Sequence, residues 1–417
     1  MEITSNLTDI SFKVAIPQVA QSEFKDKHIL IIIENLPAPF DRRVWQEASS
    51  LKKYGANVSI ICPKMKGYNK SFETIDGIDI YRHPMPLEGS GLKGYLLEYS
   101  SAIFWELALA FKIYFKKKFD VIHGCNPPDL IFLTALPFKL FGVKFVFDHH
   151  DINPELFIAK FNKKNILYRA MLFFERLTFM TANYSIATNE SYKFIALTRG
   201  KKDPDKVTIV RSGPNLKKLK ISEGNPKYKK GKKYLVGYVG VIGEQEGLNL
   251  LMDSIKIIKD QKVDVHFAII GSGTYLENII KQAREYGIDD MVDFYGRVED
   301  DLMLDILNTC DACVNPDKPT EMNNLSTMNK IMEYMALGKP MVQFNLKEGK
   351  YSAKKASLYA ENNNVKDFAM KIIELLENPF LRQQMGEYGY QRVKNELSWE
   401  IEEQKLIKFY KKVLNIN

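Results

Sequence analysis

Short apolar runs that end in polar loops recur along the chain, with helical spacing between them. Residues 28–33 form the first run, which closes at Glu34 ahead of a polar, proline-bearing loop. Val44, Ala48 and Leu51 then share one face of a helix predicted over 44–54. Gly55 stops that helix, and residues 58–62 give the next strand. Further buried strands are predicted at 121–123 and 144–148. The pattern restarts with strands at 234–241, 266–270, 292–295, 312–315 and 340–344, and with a helix over 248–256. Apolar strands alternating with helices predict doubly wound parallel sheets, and the restart predicts two of them. The class is α/β, with two Rossmann-like domains facing across a cleft. Such sheets bind ligands outside the carboxyl ends of their strands.

Length agrees, since 417 residues suit two ordinary domains. A lysine-rich stretch over 214–233 marks the boundary, giving domains over 1–220 and 221–397. Residues before about 25 are mixed in character and are expected to be loosely attached. Apolar residues make up 45% and charged residues 26%, as in a soluble protein with real cores. Four cysteines are too few for a disulfide framework and point to a reducing, cytoplasmic location. Cys310 and Cys313 lack a second pair at zinc spacing and lie in a strand-like run, so packing is their expected role. The first apolar run is only a strand's length, so no signal peptide is expected. The stretch 102–115 is interrupted by Glu106 and Lys112 and is shorter than the ~20 residues that a bilayer span needs.

The net charge of +8 is uneven, because residues 160–233 hold 19 Lys+Arg against 5 Asp+Glu. Such a block suits phosphates on an anionic lipid, a pyrophosphate-linked acceptor or nucleic acid, and it equally suits a solvated face. No nucleic-acid motif accompanies it, so nucleic acid is not an expected partner. Aromatic and basic residues interleave over 104–118 and 163–179. These segments read either as a peripheral contact with an anionic membrane or as helices covering the first sheet.

In the first half, His123 and the run Asp148-His149-His150-Asp151 fall at strand ends. Histidine and carboxylate there can move protons or donate hydrogen bonds, and the alternative is a ring bonded to a nearby carbonyl. His150 is the leading candidate, with Asp151 and His123 beside it. Asp41-Arg42-Arg43 opens the first helix, which suits either an anion site or a capped, salt-bridged helix start.

In the second half three loops should converge. Gly240 to Gly247, with Gly243 and Gln245, lies between strand and helix, where glycines let amides approach a phosphate. Its spacing is not that of a dinucleotide fingerprint. Gly271-Ser272-Gly273 is the second loop. The third runs from Asn323 through Ser326, Asn329, Lys330 and Glu333 to Gly338 and Pro340. Its polar start offers a hydroxyl and amides, Lys330 a point charge for a diphosphate, and Glu333 a carboxylate for ribose hydroxyls on the same helix face. Arg297 joins the candidate nucleotide contacts.

Asp41-Arg42-Arg43-Val44-Trp45, Asn126-Pro127-Pro128-Asp129, Asp148-His149-His150-Asp151, Gly240 to Gly247 and Ser326 to Pro340 together resemble glycosyltransferase family 4. The resemblance covers nearly the whole chain from about His28. It implies the GT-B fold and transfer of a sugar from a nucleotide-diphosphate donor to a hydroxyl of a glycan or lipid-linked acceptor. It also implies a retained anomeric configuration and no obligatory metal. It further implies a last helix over 399–414 that packs back on the first domain. Glu333 matches the second of the family's paired glutamates, which holds the ribose. Leu325 stands where the first would fall, with Glu321, Asn323 or Asn324 as substitutes. Gln245 and Glu246 replace the family's usual Arg and Lys, so Lys330 is the expected source of positive charge. Cys125 stands where the family often has its catalytic histidine, with His150 or His123 as replacement. Asp203-Pro204-Asp205 has the D-x-D spacing of metal-dependent transferases but sits in a lysine-rich loop, so no metal is expected. The alternatives are a GT-B sugar-nucleotide 2-epimerase and a catalytically silent binding subunit.

Overall fold

The computed structural model describes residues 23–85 and 91–416, with backbone alone for 91–99. The loosely attached start expected before about residue 25 lies mostly outside this range, and where the chain enters it, Phe24 is fully buried against Tyr410.

Eight strands form the first sheet: β1 His28–Ile32, β2 Asn57–Pro63, β3 Phe72–Ile75, β4 Ile78–His83, β5 Val121–Cys125, β6 Lys144–His149, β7 Tyr184–Ala187 and β8 Val207–Ile209. Their order is β3-β4-β2-β1-β5-β6-β7-β8, and only β3 runs antiparallel to its neighbour. Six more build the second: β9 Tyr234–Val239, β10 Val265–Ile270, β11 Val292–Gly296, β12 Ala312–Asn315, β13 Met341–Phe344 and β14 Ser357–Ala360. They pair in the order β11-β10-β9-β12-β13-β14, all parallel.

Strand β1 shows why near-continuous apolar runs suit this architecture. Ile29 and Ile31 face helices Arg42–Lys53 and Trp399–Leu414, packing with Val44, Leu51, Leu406 and Tyr410. Leu30 and Ile32 face the other way, onto Ile113, Phe138 and Phe179. Each fully buried Ile or Leu contributes about 1.5–3 kcal/mol over leaving it in water. A strand covered on both faces therefore has no polar alternation to show. The last helix thus lies on the first sheet, and Glu403 fixes it there by accepting from Ser50 Oγ at 2.9 Å and Lys53 Nζ at 2.8 Å.

All four cysteines are unpaired and buried. Cys313 lies in β12, and Cys310 donates to the Ile306 carbonyl, so both pack. No helix among the described residues is long and apolar enough to cross a membrane.

Candidate active site

At the carboxyl ends of β1, β5 and β6, Asp148 is the hub of a buried charge cluster. Arg43 donates to both its oxygens, from Nε at 3.1 Å and Nη2 at 2.9 Å, and reaches the Val210 carbonyl through Nη1. His150 Nε2 lies 2.6 Å from Asp148 Oδ2, and His123 Nε2 lies 3.3 Å from the same oxygen. Burial acts to raise the Asp148 pKa, but Arg43 and His150 outweigh it and hold the carboxyl well below its ordinary range. Burial opposes a charge on His150, yet Asp148 lifts its pKa above the usual value. Glu47 completes the cluster 3.0 Å from Arg43, with its pKa pushed up to about 7 by burial and by Asp148.

Two sequence motifs meet in one clamp. The Asn126 side-chain oxygen accepts from the His150 and Asp151 amides at 2.7 and 3.1 Å. Its nitrogen donates to Asp129 Oδ1 and to the Asp151 carbonyl. The clamp leaves the His150 side chain 13% exposed, and Asp151 is partly buried beside it, with burial raising its pKa.

The other first-half candidates sit differently. β5 continues two residues past His123, so that ring is not at a strand end but sealed in the core, with Nδ1 2.6 Å from the Tyr410 hydroxyl. It connects to Arg43 through Asp148 and through Glu47, whose Oε2 lies 3.4 Å from Nε2. His149 is fully buried among Phe147, Phe179 and Tyr192. Burial pushes the Cys125 thiol well above its usual pKa, which leaves it neutral rather than basic. Asp41 caps helix Arg42–Lys53 by accepting from the Val44 amide at 2.9 Å, so a carboxylate already takes the place proposed for an anion. Asp203 accepts from the Asp205 amide in a local turn.

Across the cleft the two glycine-bearing loops stack backbone on backbone, and the loop ahead of Asn323 packs on the first of them. A Cβ on Gly271 would stand 1.8 Å from the Gly240 carbonyl oxygen, and one on Gly273 would stand 2.3 Å from that of Ile242. Ile242 N donates to Ser272 O, and the Gly243 amide donates to Glu246 at 3.0 Å. Gln245 contributes its carbonyl, which accepts from Lys318 N and from Asn323 Nδ2 at 2.8 Å. Gly243, Gln245, Gly271 and Gly273 therefore converge as expected of neighbouring loops, while the Asn323 amide is turned inward to hold them together.

Helix Asn329–Ala336 follows, and no side chain caps its start. Lys330 is paired with buried Asp317 at 2.9 Å and lies over the Tyr238 ring. Burial would lower its pKa, but Asp317 and Tyr238 outweigh this and raise it. The lysine is thus charged yet already matched, with Glu246 near by. Asp317 escaped sequence reasoning, although a carboxylate two residues beyond the end of β12 was a usable signal.

Contacts between the domains frame Glu333. Arg42 Nη1 reaches Glu333 Oε1 at 3.3 Å, and Nη2 reaches Asp300 Oδ1 at 2.5 Å. Burial raises the Glu333 pKa, Arg42 lowers it and Asp300 raises it, with a net shift upward. Arg297 stacks on Phe40 with its guanidinium 4.2 Å from the ring centre. Ser326 is buried and bonded to the Tyr192 hydroxyl at 2.9 Å. Leu325, with Met322, packs against the apolar cluster of the first domain, which gives this position a job across the interface instead of a polar one. Asn324 Oδ1 accepts from the Lys347 amide. A cavity of about 630 Å³ lies between the domains, lined by Arg42, Asn215, Lys217, Asp300, Asn329 and Glu333 among others.

Comparison with known proteins fits this geometry. Residues 221–392 match the family model described as glycosyl transferases group 1. An uncharacterized glycosyltransferase of Methanocaldococcus jannaschii is 26% identical over 231 residues, covering 52% of this chain and 58% of that protein. The capsular polysaccharide biosynthesis glycosyltransferase CapM of Staphylococcus aureus is 25% identical over 303 residues, 69% of this chain and 74% of its own. Among solved structures, sucrose-phosphate synthase from Thermosynechococcus elongatus superposes with a TM-score of 0.75 at 16% identity, covering 93% of this chain and 99% of that one. HepE from Anabaena, in complex with UDP and glucose, gives 0.69 at 13% identity, covering 93% and 100%. The fold is therefore GT-B, two Rossmann-like domains across a cleft, and the second domain carries the sequence pattern of the group 1 glycosyl transferases.

Proposed function

We propose that the chain is a retaining glycosyltransferase that moves a sugar, of hexosyl or N-acetylhexosaminyl type, from a nucleotide-diphosphate donor to a hydroxyl of a glycan or lipid-linked acceptor. The placement of Glu333 carries the reading. It is a partly buried carboxylate on the cleft side of the second sheet, at the edge of the interdomain cavity, and directly ahead of it lies an uncapped helix start. Such a start favours a phosphate through its amides, and the carboxylate suits two ribose hydroxyls. HepE, which shares the fold, is described with UDP and glucose in its crystals, and CapM is named for capsular polysaccharide synthesis. Both support a sugar nucleotide and a surface-polysaccharide setting.

In this reading the acceptor oxygen bonds to the sugar's anomeric carbon, the bond from that carbon to the diphosphate breaks, and the proton passes to the leaving diphosphate. Stabilising that leaving group is the larger electrostatic task. Arg42 is free to help once ribose replaces it on Glu333, since an exposed ion pair contributes only about 0–1 kcal/mol. Lys330 contributes a charge already balanced by Asp317. His150, held by Asp148 and fixed by Asn126, positions the acceptor. Neither a metal nor a cofactor enters the proposal.

A panel of nucleotide sugars, each incubated with candidate acceptors and followed by product analysis, tests the reading. A glycosylated acceptor with its anomeric configuration retained supports it. Epimerised donor without transfer would indicate the 2-epimerase. Leu325 in place of a carboxylate favours a second reading, a catalytically silent subunit, which would give no product and which absence of donor binding in calorimetry would favour.

A further inference from the structure

The outer surface of the first domain, opposite the helices that carry Arg43 and Tyr410, has an unusual composition. It is built by three helices in contact side by side, Gly91–Lys116, Phe132–Lys139 and Ile166–Thr181. On the third, Ile166, Arg169, Phe173, Arg176 and Met180 are all exposed. Their spacing of three and four residues makes one outward stripe in which apolar and cationic side chains alternate. On the second helix and the turn after it, Leu133, Leu136, Leu140 and Phe141 point outward, and Leu140 is 87% exposed. Along the first, Phe104, Lys112 and Phe115 repeat the mixture, and Lys116, Lys117 and Lys118 follow. Tyr114 joins the first two helices by packing 5.7 Å from Phe141.

The acidic residues complete the argument. Across 100–118, 132–144 and 160–181 there are two, Glu106 and Glu175, and both are buried. Glu106 accepts from Thr134 inside the helix pair, and Glu175 is paired with Arg199. The outward face of these segments therefore carries Lys, Arg and large apolar groups with no carboxylate among them. Large apolar side chains exposed together in this way mark an interaction surface.

We propose that this three-helix face docks on a bilayer containing anionic lipid, lying in the interface with Phe115, Leu140, Phe141, Ile166, Phe173 and Met180 below the headgroups and the cations among the phosphates. Charge and apolarity together select this partner. A second copy would bring two cationic surfaces against each other, with no exposed carboxylate in 100–118, 132–144 or 160–181 to pair them, since a two-fold dimer matches a patch with itself. Nucleic acid offers phosphates but no apolar phase for Leu140, Ile166 and Met180. An anionic bilayer offers both. The third helix is also tied to the Asn126 clamp, because Thr178, on its inner side, donates to the Asp129 carbonyl. The inference stands whether or not the transferase reading does.

The full chain should co-sediment with vesicles of phosphatidylcholine mixed with phosphatidylglycerol, and at least roughly tenfold less with phosphatidylcholine alone. Phe115→Ser/Phe173→Ser and Arg169→Gln/Arg176→Gln should each weaken partition to the anionic vesicles by about tenfold or more. Unchanged melting temperatures would show both variants to be folded. Equal partition to the two vesicle types, absence from both pellets, or variants that bind as the wild type does would overturn the proposal. So would a concentration-dependent dimer without lipid that the same substitutions dissolve.

Discussion

Asp148 is the residue on which the first domain's buried charge cluster turns. Its carboxylate is completely buried, yet it stays ionised because Arg43, His150 and His123 all address it. Asp148→Asn leaves a guanidinium buried without its main counter-ion, and breaking such a pair costs about 3–5 kcal/mol. Chemical denaturation should show a loss of that order, and a loss under ~1 kcal/mol would mean that Glu47 takes over the charge. His150 was legible in the sequence because a histidine beside a strand end is a recognisable signal. Its dependence on Arg43, 107 residues away in the chain, was not legible, since no local spacing encodes it. Sealed His123 and inward-turned Asn323 show the same limit from the other side. Residue type announces what a side chain can do, whereas the surrounding chain decides which way it faces.

At the scale of elements, helix Gly91–Lys116 holds Glu106 against Thr134, with the carboxyl pushed up to about 8 by burial and by Glu34. The folded chain then keeps a proton that the unfolded chain releases from about pH 4.5, so this group's contribution to stability falls as pH rises from about 4.5 to about 8. Glu106→Gln keeps an acceptor for Thr134 and should flatten melting temperature against pH over that window; parallel curves for the two proteins would contradict it. Gly271, at φ 142°, lets the loop after β10 lie on the Gly240 carbonyl. Gly271→Ala forces these loops apart and should cost about 1–3 kcal/mol in thermal unfolding. The central parallel strands were legible because two buried faces produce unbroken apolar runs. β3, β4, β7, β8 and β14 were not: Asp79 and Arg82 interrupt β4, and the other four are only three or four residues long with no long apolar run around them. Three of them end a sheet, and their burial is mixed.

For the whole molecule, the two sheets turn the carboxyl ends of their strands toward one cavity, with Arg42, Leu325 and Tyr192 holding the domains in contact around it. The restart of the strand pattern made this two-domain plan legible, but which side chains bridge the halves became visible only once they faced each other. The account requires a nucleotide to enter that cavity and displace Arg42 from Glu333. Titration calorimetry of nucleoside diphosphates against the wild type and Glu333→Ala measures this directly. One nucleoside diphosphate should bind the wild type at a single site, and removing the carboxylate should weaken it by about 10-fold or more, the scale of losing a hydrogen bond to a charged group. Equal affinity in the two proteins, or no nucleoside diphosphate bound by either, would contradict the account.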